Sequence, residues 1–181
     1  MNRRDLRRAL HCVLRIALLV IPDQLTKYLA VTRLKKHGPV TVIRNLVYLI
    51  YTENEGAALG ILEGHQVLFT ILAIVVVAYV IVSCVRMPEE RCYRIMNMLQ
   101  VMIGAGAIGN MLDRIRLGYV IDFIYIRLPR ISGPVFNVAD IFITVGCALL
   151  IILALTEFGC DADYADDEDE ADESDGGTDK L

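Results

Sequence analysis

Four segments of about twenty mostly apolar residues constrain the fold of this chain more than any other feature, because ~20 such residues let a helix cross the hydrocarbon core of a bilayer. The segments cover residues 10–31, 66–87, 95–115 and 136–158. The first follows a run of arginines, as a secretory signal does, but it continues past Asp23 and Lys27 without a small-x-small cleavage site. We therefore expect a retained helix there, and an all-α membrane protein with four transmembrane helices.

Charge is distributed very unevenly along the chain. Of the 22 Asp and Glu residues, 11 lie between Asp161 and Asp179, whereas the whole chain has a net charge of −4. Residues 1–158 carry 17 Lys and Arg against 11 Asp and Glu, which is a net +6. A basic body with long apolar runs suits an anionic membrane surface, and nucleic acid is not an expected partner. We expect one transmembrane domain over 1–158 and a disordered, solvated acidic tail over 159–181.

The basic residues also predict the orientation in the membrane. Four spans place both termini on one side, and basic residues flank that side before the first span and after the second: Arg3, Arg4, Arg7, Arg8, Arg86, Arg91 and Arg94. A smaller opposing group lies beyond the first span: Arg33, Lys35, Lys36 and Arg44. Basic residues favour the cytoplasmic side and the N-terminal cluster usually dominates. We therefore expect both termini in the cytoplasm.

Two segments between the spans have the pattern of β-strands. Residues 39–51 alternate and are rich in Val, Ile and Tyr, with Arg44 and Asn45 as a candidate turn, which is typical of a short hairpin. Residues 119–126 are also β-like and precede a stretch that contains Pro129, Gly133 and Pro134. Both segments fall on the outer side, so the sequence predicts a small extracytoplasmic β-rich platform.

Three of the four spans contain polar and ionisable residues, which are costly in a bilayer and therefore indicate function. Within each span they lie on one helix face: Asp23 and Lys27; Asn110, Asp113 and Arg114; Asn137, Asp140 and Thr144. One reading is that they only hold helices together, which the small-residue run at 104–109 supports. For Asp113 and Arg114, the sequence favours a role in helix packing and a chemical role equally.

A chemical role is favoured more strongly for Asp140, because no Lys or Arg lies within one helical turn to neutralise its carboxylate. It lies about 6 Å into its predicted helix, near the outer boundary of the hydrocarbon. Asp122 follows the third span and could meet Asp140 at that level, although an acid in such a loop is commonly just solvated. Two close carboxylates share one proton and support general acid–base hydrolysis.

Metal chemistry is not expected. The cysteines, Cys12, Cys84, Cys92, Cys147 and Cys160, form no CxxC pair, and the three histidines are scattered. We expect neither a metal nor another cofactor.

Five sequence blocks resemble lipoprotein signal peptidase (signal peptidase II, the prolipoprotein signal peptidase family). They are D-Q-L-T-K at 23–27, N-E-G-A-A at 54–58, G-N-M-L-D-R at 109–114, V-I-D-F at 120–123 and F-N-V-A-D at 136–140. The resemblance extends over residues 10–158. It departs from the family at Leu59 and Gly60, where a Phe-Ser-like pair is common, and at Ile141, where Ser is common.

The resemblance implies an aspartic endopeptidase of the bacterial inner membrane that removes signal peptides from lipid-modified prolipoproteins, on the N-terminal side of the lipidated cysteine. It implies Asp122 and Asp140 as the catalytic pair, with Asp113 as the rival partner of Asp140. Residues that bind substrate or shape the site would be Asp23, Asn54, Gly56, Asn110, Arg114 and Asn137, and structural ones Asp113 and Lys27. The implied partners are diacylglyceryl-modified prolipoproteins, membrane lipids and the inhibitor globomycin.

Two functions of other classes remain open from the residues alone. The polar groups could form a proton- or ion-coupled transport pathway, although four spans without a repeat are few for a carrier. They could also only pack helices in an assembly factor, which predicts that Asp140→Asn retains function.

Overall fold

The computed structural model describes residues 2–56, 66–88, 91–129 and 133–155 of the chain. The acidic tail predicted at 159–181 lies outside these residues, as do Leu59 and Gly60.

Four helical segments in the described residues are long and apolar enough to cross a membrane. The first consists of α1 (Arg3–Leu29), a π-helical turn (Ala30–Leu34) and α2 (Lys35–His37), and the others are α3 (Gln66–Arg86), α4 (Arg91–Leu117) and α5 (Val138–Leu155). The four predicted spans are confirmed, but their bounds differ. The first helix begins at Arg3 and not at residue 10, because Asn2 and Asp5 form a capping box at its N-terminus.

Helix α4 lies at the centre of the bundle and packs on α1, α3 and α5. Half of its most apolar window is buried, against 11–17% for the other three spans, which identifies α4 as the central helix. Its contacts with α1 and α3 bury an apolar cluster: Cys12, Ile16, Val80, Cys84, Val101 and Ala105. The outer helices expose large apolar side chains such as Leu14, Leu18, Val75 and Ile151. Such surfaces suit lipid and not water.

The described residues also contain a four-stranded antiparallel sheet of order β1-β2-β3-β4. Its strands are β1 (Val40–Ile43), β2 (Val47–Asn54), β3 (Val120–Ile126) and β4 (Val135–Phe136). The predicted hairpin is confirmed as β1–β2, and Asn45 adopts a left-handed φ of 63° in its turn. Strand β2 pairs with β3, so the two β-like segments of the sequence form one sheet.

The sheet is attached to the end of the first helical segment by an apolar cluster of Ala30, Leu34, Ile121 and Phe123. Strand β3 follows α4 directly, and β4 leads into α5 through Asn137. The ends of three helices and the inner strand β3 therefore meet at one level, where the polar residues of the sequence blocks are found.

Candidate active site

The polar residues that the sequence placed on three helix faces converge at the junction of the bundle and the sheet. Five of the residues there that are at most 8% exposed come from the helix faces, namely Asp23, Lys27, Asn110, Asp113 and Asn137, and Asp122 of β3 is a sixth. Burial of so many polar groups is costly unless each finds a partner. Their hydrogen bonds form two groups, one centred on Lys27 and one on Asn137. The two groups are linked through Asn110.

Lys27 forms the first group, which we call the lysine hub (Asp23, Lys27 and Asp113). Its Nζ lies 2.9 Å from Asp23 Oδ2 and 2.9 Å from Asp113 Oδ2. The third ammonium hydrogen is directed to Asn110 Oδ1, also at 2.9 Å. An ammonium has three donors and no acceptor, so Lys27 is fully satisfied.

The two acids of the lysine hub also hold backbone groups next to the site. Asp23 Oδ1 accepts the N–H of Ala139 at 2.9 Å, in the first turn of α5. Asp113 Oδ2 accepts the N–H of Ile121 at 3.3 Å, one residue before Asp122. Asp113 is thus engaged with Lys27 and with β3, which counts against it as the partner of Asp140.

Asn137 and Asp140 form a reciprocal capping box at the start of α5. The Asp140 N–H donates to Asn137 Oδ1 at 3.0 Å, and the Asn137 N–H donates to Asp140 Oδ2 at 3.2 Å. The predicted start of the fourth span at Phe136 is therefore wrong: Phe136 belongs to β4, Asn137 caps the helix, and the helix begins at Val138. The cap places the Asp140 carboxylate in the first turn, facing β3.

Asn137 also connects the two predicted catalytic aspartates. Its Nδ2 donates to Asp122 Oδ1 at 2.7 Å and to Asn110 Oδ1 at 3.1 Å. Asn110 in turn donates from Nδ2 to Asp140 Oδ1 at 2.7 Å. The second oxygen of Asp122 accepts from Asn54 Nδ2 at 2.8 Å. Both carboxylates line the same cavity, of about 490 Å³.

Burial determines the protonation of Asp122, which lies in β3 outside the membrane-spanning helices. It raises the pKa of Asp122 to about 6, and the negative charge of Asp140 adds to the rise. The hydrogen bonds from Asn54 and Asn137 oppose it. A carboxyl group with such a pKa can hold a proton close to neutral pH, as a general acid must.

Arg114 lines the cavity with donors still available. Its Nη2 donates to the carbonyl oxygen of Gly56 at 3.1 Å, and its guanidinium lies 4.7 Å from the centre of the Phe69 ring. Its buried Nε has no hydrogen-bond partner among the described residues. The N–H of Gly56 donates to Asn54 Oδ1 at 3.0 Å, so Gly56 connects Arg114 with the amide that contacts Asp122.

The rest of the cavity is largely apolar, with Thr144 as a further polar residue. Its other lining residues are Val120, Pro134, Val135, Phe136, Ile141, Ile143 and Val145. Ile141 is the departure from the family pattern noted above, and it makes this wall more apolar than a serine would. A mostly apolar cavity with a few convergent polar groups is typical of a ligand-binding site.

The structure brings every predicted site residue to this junction and adds two that the sequence analysis did not single out. Gln24 Nε2 lies 3.1–3.2 Å from three acceptors that share its two hydrogens: Asp23 Oδ2, Asp113 Oδ1 and the Gly109 carbonyl oxygen. The sequence could have indicated Gln24, because an amide next to Asp23 in a membrane span needs a hydrogen-bond partner. Phe69 gave no signal, since it is one of many apolar residues in its span.

The fold and the site define a multi-pass membrane enzyme whose cavity contains two carboxylates. The family model described as Signal peptidase (SPase) II matches residues 15–156. A lipoprotein signal peptidase from Caldanaerobacter subterraneus is 42% identical over 144 residues, which are 80% of this chain and 95% of the relative. The one from Geobacillus kaustophilus is 42% identical over 137 residues, 75% and 87% of the two chains.

A solved bacterial membrane enzyme has the same fold, with a TM-score of 0.71 and 32% identity over 82% of this chain and 90% of its own. The chain belongs to the signal peptidase II family, the lipoprotein signal peptidases. It is accordingly a protease and a multi-pass bacterial membrane protein, and its family acts in the removal of signal peptides from prolipoproteins. The transporter alternative has no support.

Proposed function

We propose that Asp122 and Asp140 are the catalytic pair of an intramembrane aspartic endopeptidase. It cleaves lipid-modified prolipoproteins on the N-terminal side of the lipidated cysteine. The observation that carries the proposal is that both carboxylates line one cavity and accept hydrogen bonds from the same residue, Asp122 from the Asn137 side chain and Asp140 from the Asn137 backbone N–H. Asp113, the rival, is bound to Lys27 instead.

In the proposed reaction, the ionised aspartate takes a proton from water while the water oxygen attacks the scissile carbonyl carbon. The protonated aspartate donates its proton to the carbonyl oxygen, and the resulting diol collapses with proton transfer to the leaving amine. Each positioned proton transfer typically contributes ~10²–10⁴-fold. Arg114 Nε and the cavity face of Asn54 are proposed to bind the substrate backbone, because Arg114 Nε is a buried donor that bonds to none of the described residues.

The proposed orientation places the sheet on the extracytoplasmic side and both termini in the cytoplasm. The arginines before and after the first two spans support it through the preference of basic residues for the cytoplasm. Asp140 lies in the first turn of α5, at the sheet end of the bundle. A diacylglyceryl chain in the outer leaflet then lies beside the apolar cavity wall. We propose residues 1–158 as the peptidase domain and 159–181 as a solvated cytoplasmic tail.

The test is cleavage of a diacylglyceryl-modified precursor peptide by the purified protein in lipid. Asp122→Asn and Asp140→Asn keep the side-chain shape but remove one acid–base role, so we expect each to lose activity by roughly 10²-fold or more. Glu53→Gln is the matched control, because Glu53 is an acid of the same sheet whose carboxylate contacts Lys35 and Tyr51 and not the cavity. We expect it to cleave at the wild-type rate.

Full activity in either aspartate variant contradicts the assignment of the pair. Globomycin gives an independent readout, since we expect it to occupy the cavity and to block cleavage by the wild-type protein. It should also raise the unfolding temperature of Asp140→Asn, as any ligand of the folded state does.

A further inference from the structure

The amides around the two aspartates have only one possible orientation, because the oxygen of each one is held by an obligate donor. Asn54 Oδ1 accepts a backbone N–H from Gly56, Asn137 Oδ1 accepts one from Asp140, and Asn110 Oδ1 accepts from the Lys27 ammonium. A backbone N–H and an ammonium cannot act as acceptors. Each amide must therefore present its NH₂ group to the carboxylates.

All four carboxylate oxygens consequently face donors. Asp122 accepts from Asn137 and Asn54, while Asp140 accepts from Asn110 and from the Asn137 backbone N–H. Each of these hydrogen bonds from the described residues is donated to the carboxylate, so the proton of the pair passes to the other aspartate, to water or to substrate. A feature other than a neutral acceptor must therefore determine which aspartate holds this proton.

The two aspartates differ in what lies behind their amide donors. Behind Asn110, which donates to Asp140, lies the positive charge of Lys27, 2.9 Å from the amide oxygen. Behind Asn54, which donates to Asp122, the described part of the chain places a neutral backbone N–H, that of Gly56. A cation on its oxygen polarises an amide and strengthens the hydrogen bond that its NH₂ group donates. Asp140 also occupies the first turn of α5, where the helix dipole favours negative charge.

We infer that Lys27 is a positioning residue that acts through Asn110 to keep Asp140 ionised, so that Asp140 is the base towards water and Asp122 the acid towards the scissile carbonyl. This inference rests on the proposed function of the two aspartates and deepens it. The other charged groups near Asp140 are Asp23 from α1, Arg114 from α4 and Asp122 from β3, while Asp113 from α4 is paired with Lys27.

A matched pair of variants separates the charge of Lys27 from the packing of the lysine hub. Asp113→Asn keeps the ammonium beside Asn110. Adding Lys27→Gln to it removes the ammonium, and the hub then has the same net charge as in the wild type, since one acid and one base are both neutralised. Asp23 and Arg114 stay unchanged in both. Any disturbance that comes from the loss of the Asp113 carboxylate is common to the two variants.

The readout is the pH profile of kcat/KM for the diacylglyceryl-modified precursor peptide, whose acid limb reports the essential base of the free enzyme. In Asp113→Asn we expect the limb at the wild-type pH or lower. In Lys27→Gln/Asp113→Asn we expect it to move upward by roughly half a pH unit or more, because a stabilising positive charge is gone. Coincident limbs in the two variants overturn the inference.

Infrared spectroscopy of Asp122→Asn tests the same point if the lysine-hub variants do not fold. We expect this variant to lack the protonated carboxyl band that the wild type shows at its pH of maximal activity, since the remaining Asp140 is ionised. A band that persists overturns the inference. The proposed function fails by a different result, namely wild-type cleavage by Asp140→Asn, so the two failures are distinguishable.

Discussion

Replacing Gly106 by alanine tests how closely α4 and α5 must approach to form the site. A Cβ at Gly106 would clash with the backbone carbonyl of Ala139 and lie 2.7 Å from Ile143 Cγ1. The Ile143 side chain can rotate, but the carbonyl oxygen belongs to the first turn of α5 and moves only with that helix. Ala139 directly precedes Asp140, so the displacement also moves the Asp140 carboxylate.

The size of the effect follows from this contact. Restoring ordinary contact distances requires a shift on the order of 1 Å, and misplacement by that amount can reduce a rate ~10²-fold. The overpacking itself typically costs about 1–3 kcal/mol of folding free energy. We therefore expect Gly106→Ala to remain folded but to cleave lipidated precursor about 10–100-fold more slowly, mainly through kcat.

Gly104→Ala is the matched control on the same helix. A Cβ there would lie 3.5 Å from Ile16 Cδ1 and 3.5 Å from Val80 Cγ1, which is ordinary van der Waals contact. We expect wild-type activity and an unchanged or higher unfolding temperature, since alanine also favours the helix. Equal activity of the Gly106 and Gly104 variants, measured in the same lipid, would refute the reasoning that close helix approach sets the geometry of the aspartates.

Two further expectations concern Asn137 and the pH dependence of stability. Asn137→Ser retains an N-cap oxygen for the Asp140 N–H but loses the amide that donates to Asp122, so we expect its unfolding temperature to stay near wild type while cleavage falls. Asn137→Ala loses the amide and the cap, and the loss of the cap should lower the free energy of unfolding by about 0.5–2 kcal/mol. Equal stability of the two variants would contradict the capping role. The pKa of Asp122 rises from 3.8 to about 6 on folding, so the folded state binds the proton more tightly and stability should fall as the pH rises through that window. Thermal unfolding at pH 4 and pH 7 checks this, and a pH dependence that is no smaller in Asp122→Asn would exclude Asp122 as its source.

The sequence predicted the elements of this fold well, because their signals are local. Apolar runs of sufficient length identified the four helices of the described residues that can span a membrane, and alternation identified the strands around Arg44 and at 119–126. The helix ends were less accurate, since they depend on single capping residues: Asn2 with Asp5 extends the first helix, and Asn137 delays the last.

The candidate site was also largely predictable, for a different reason. Ionisable residues such as Asp23, Lys27 and Asp140 are so costly in a bilayer that their presence alone marks a site. The helical spacing placed each set on one face, and the resemblance to a known family supplied Asn54 and Gly56, which lie outside the helices. Gln24 was missed because nothing in its spacing shows that it bridges α1 and α4.

The sequence by itself determined that four segments of this chain are long and apolar enough to cross a membrane and that its buried acids must find partners within the protein. It could not determine which partner each acid finds, because Lys27 can reach Asp113 and Asn110 only across a helix interface that forms when the chain packs. The tertiary structure therefore decided that Asp113 supports the site while Asp122 enters the cavity with Asp140. Hydrogen bonds and ion pairs act over a few ångströms, and residues far apart in sequence come within that range only in the folded protein.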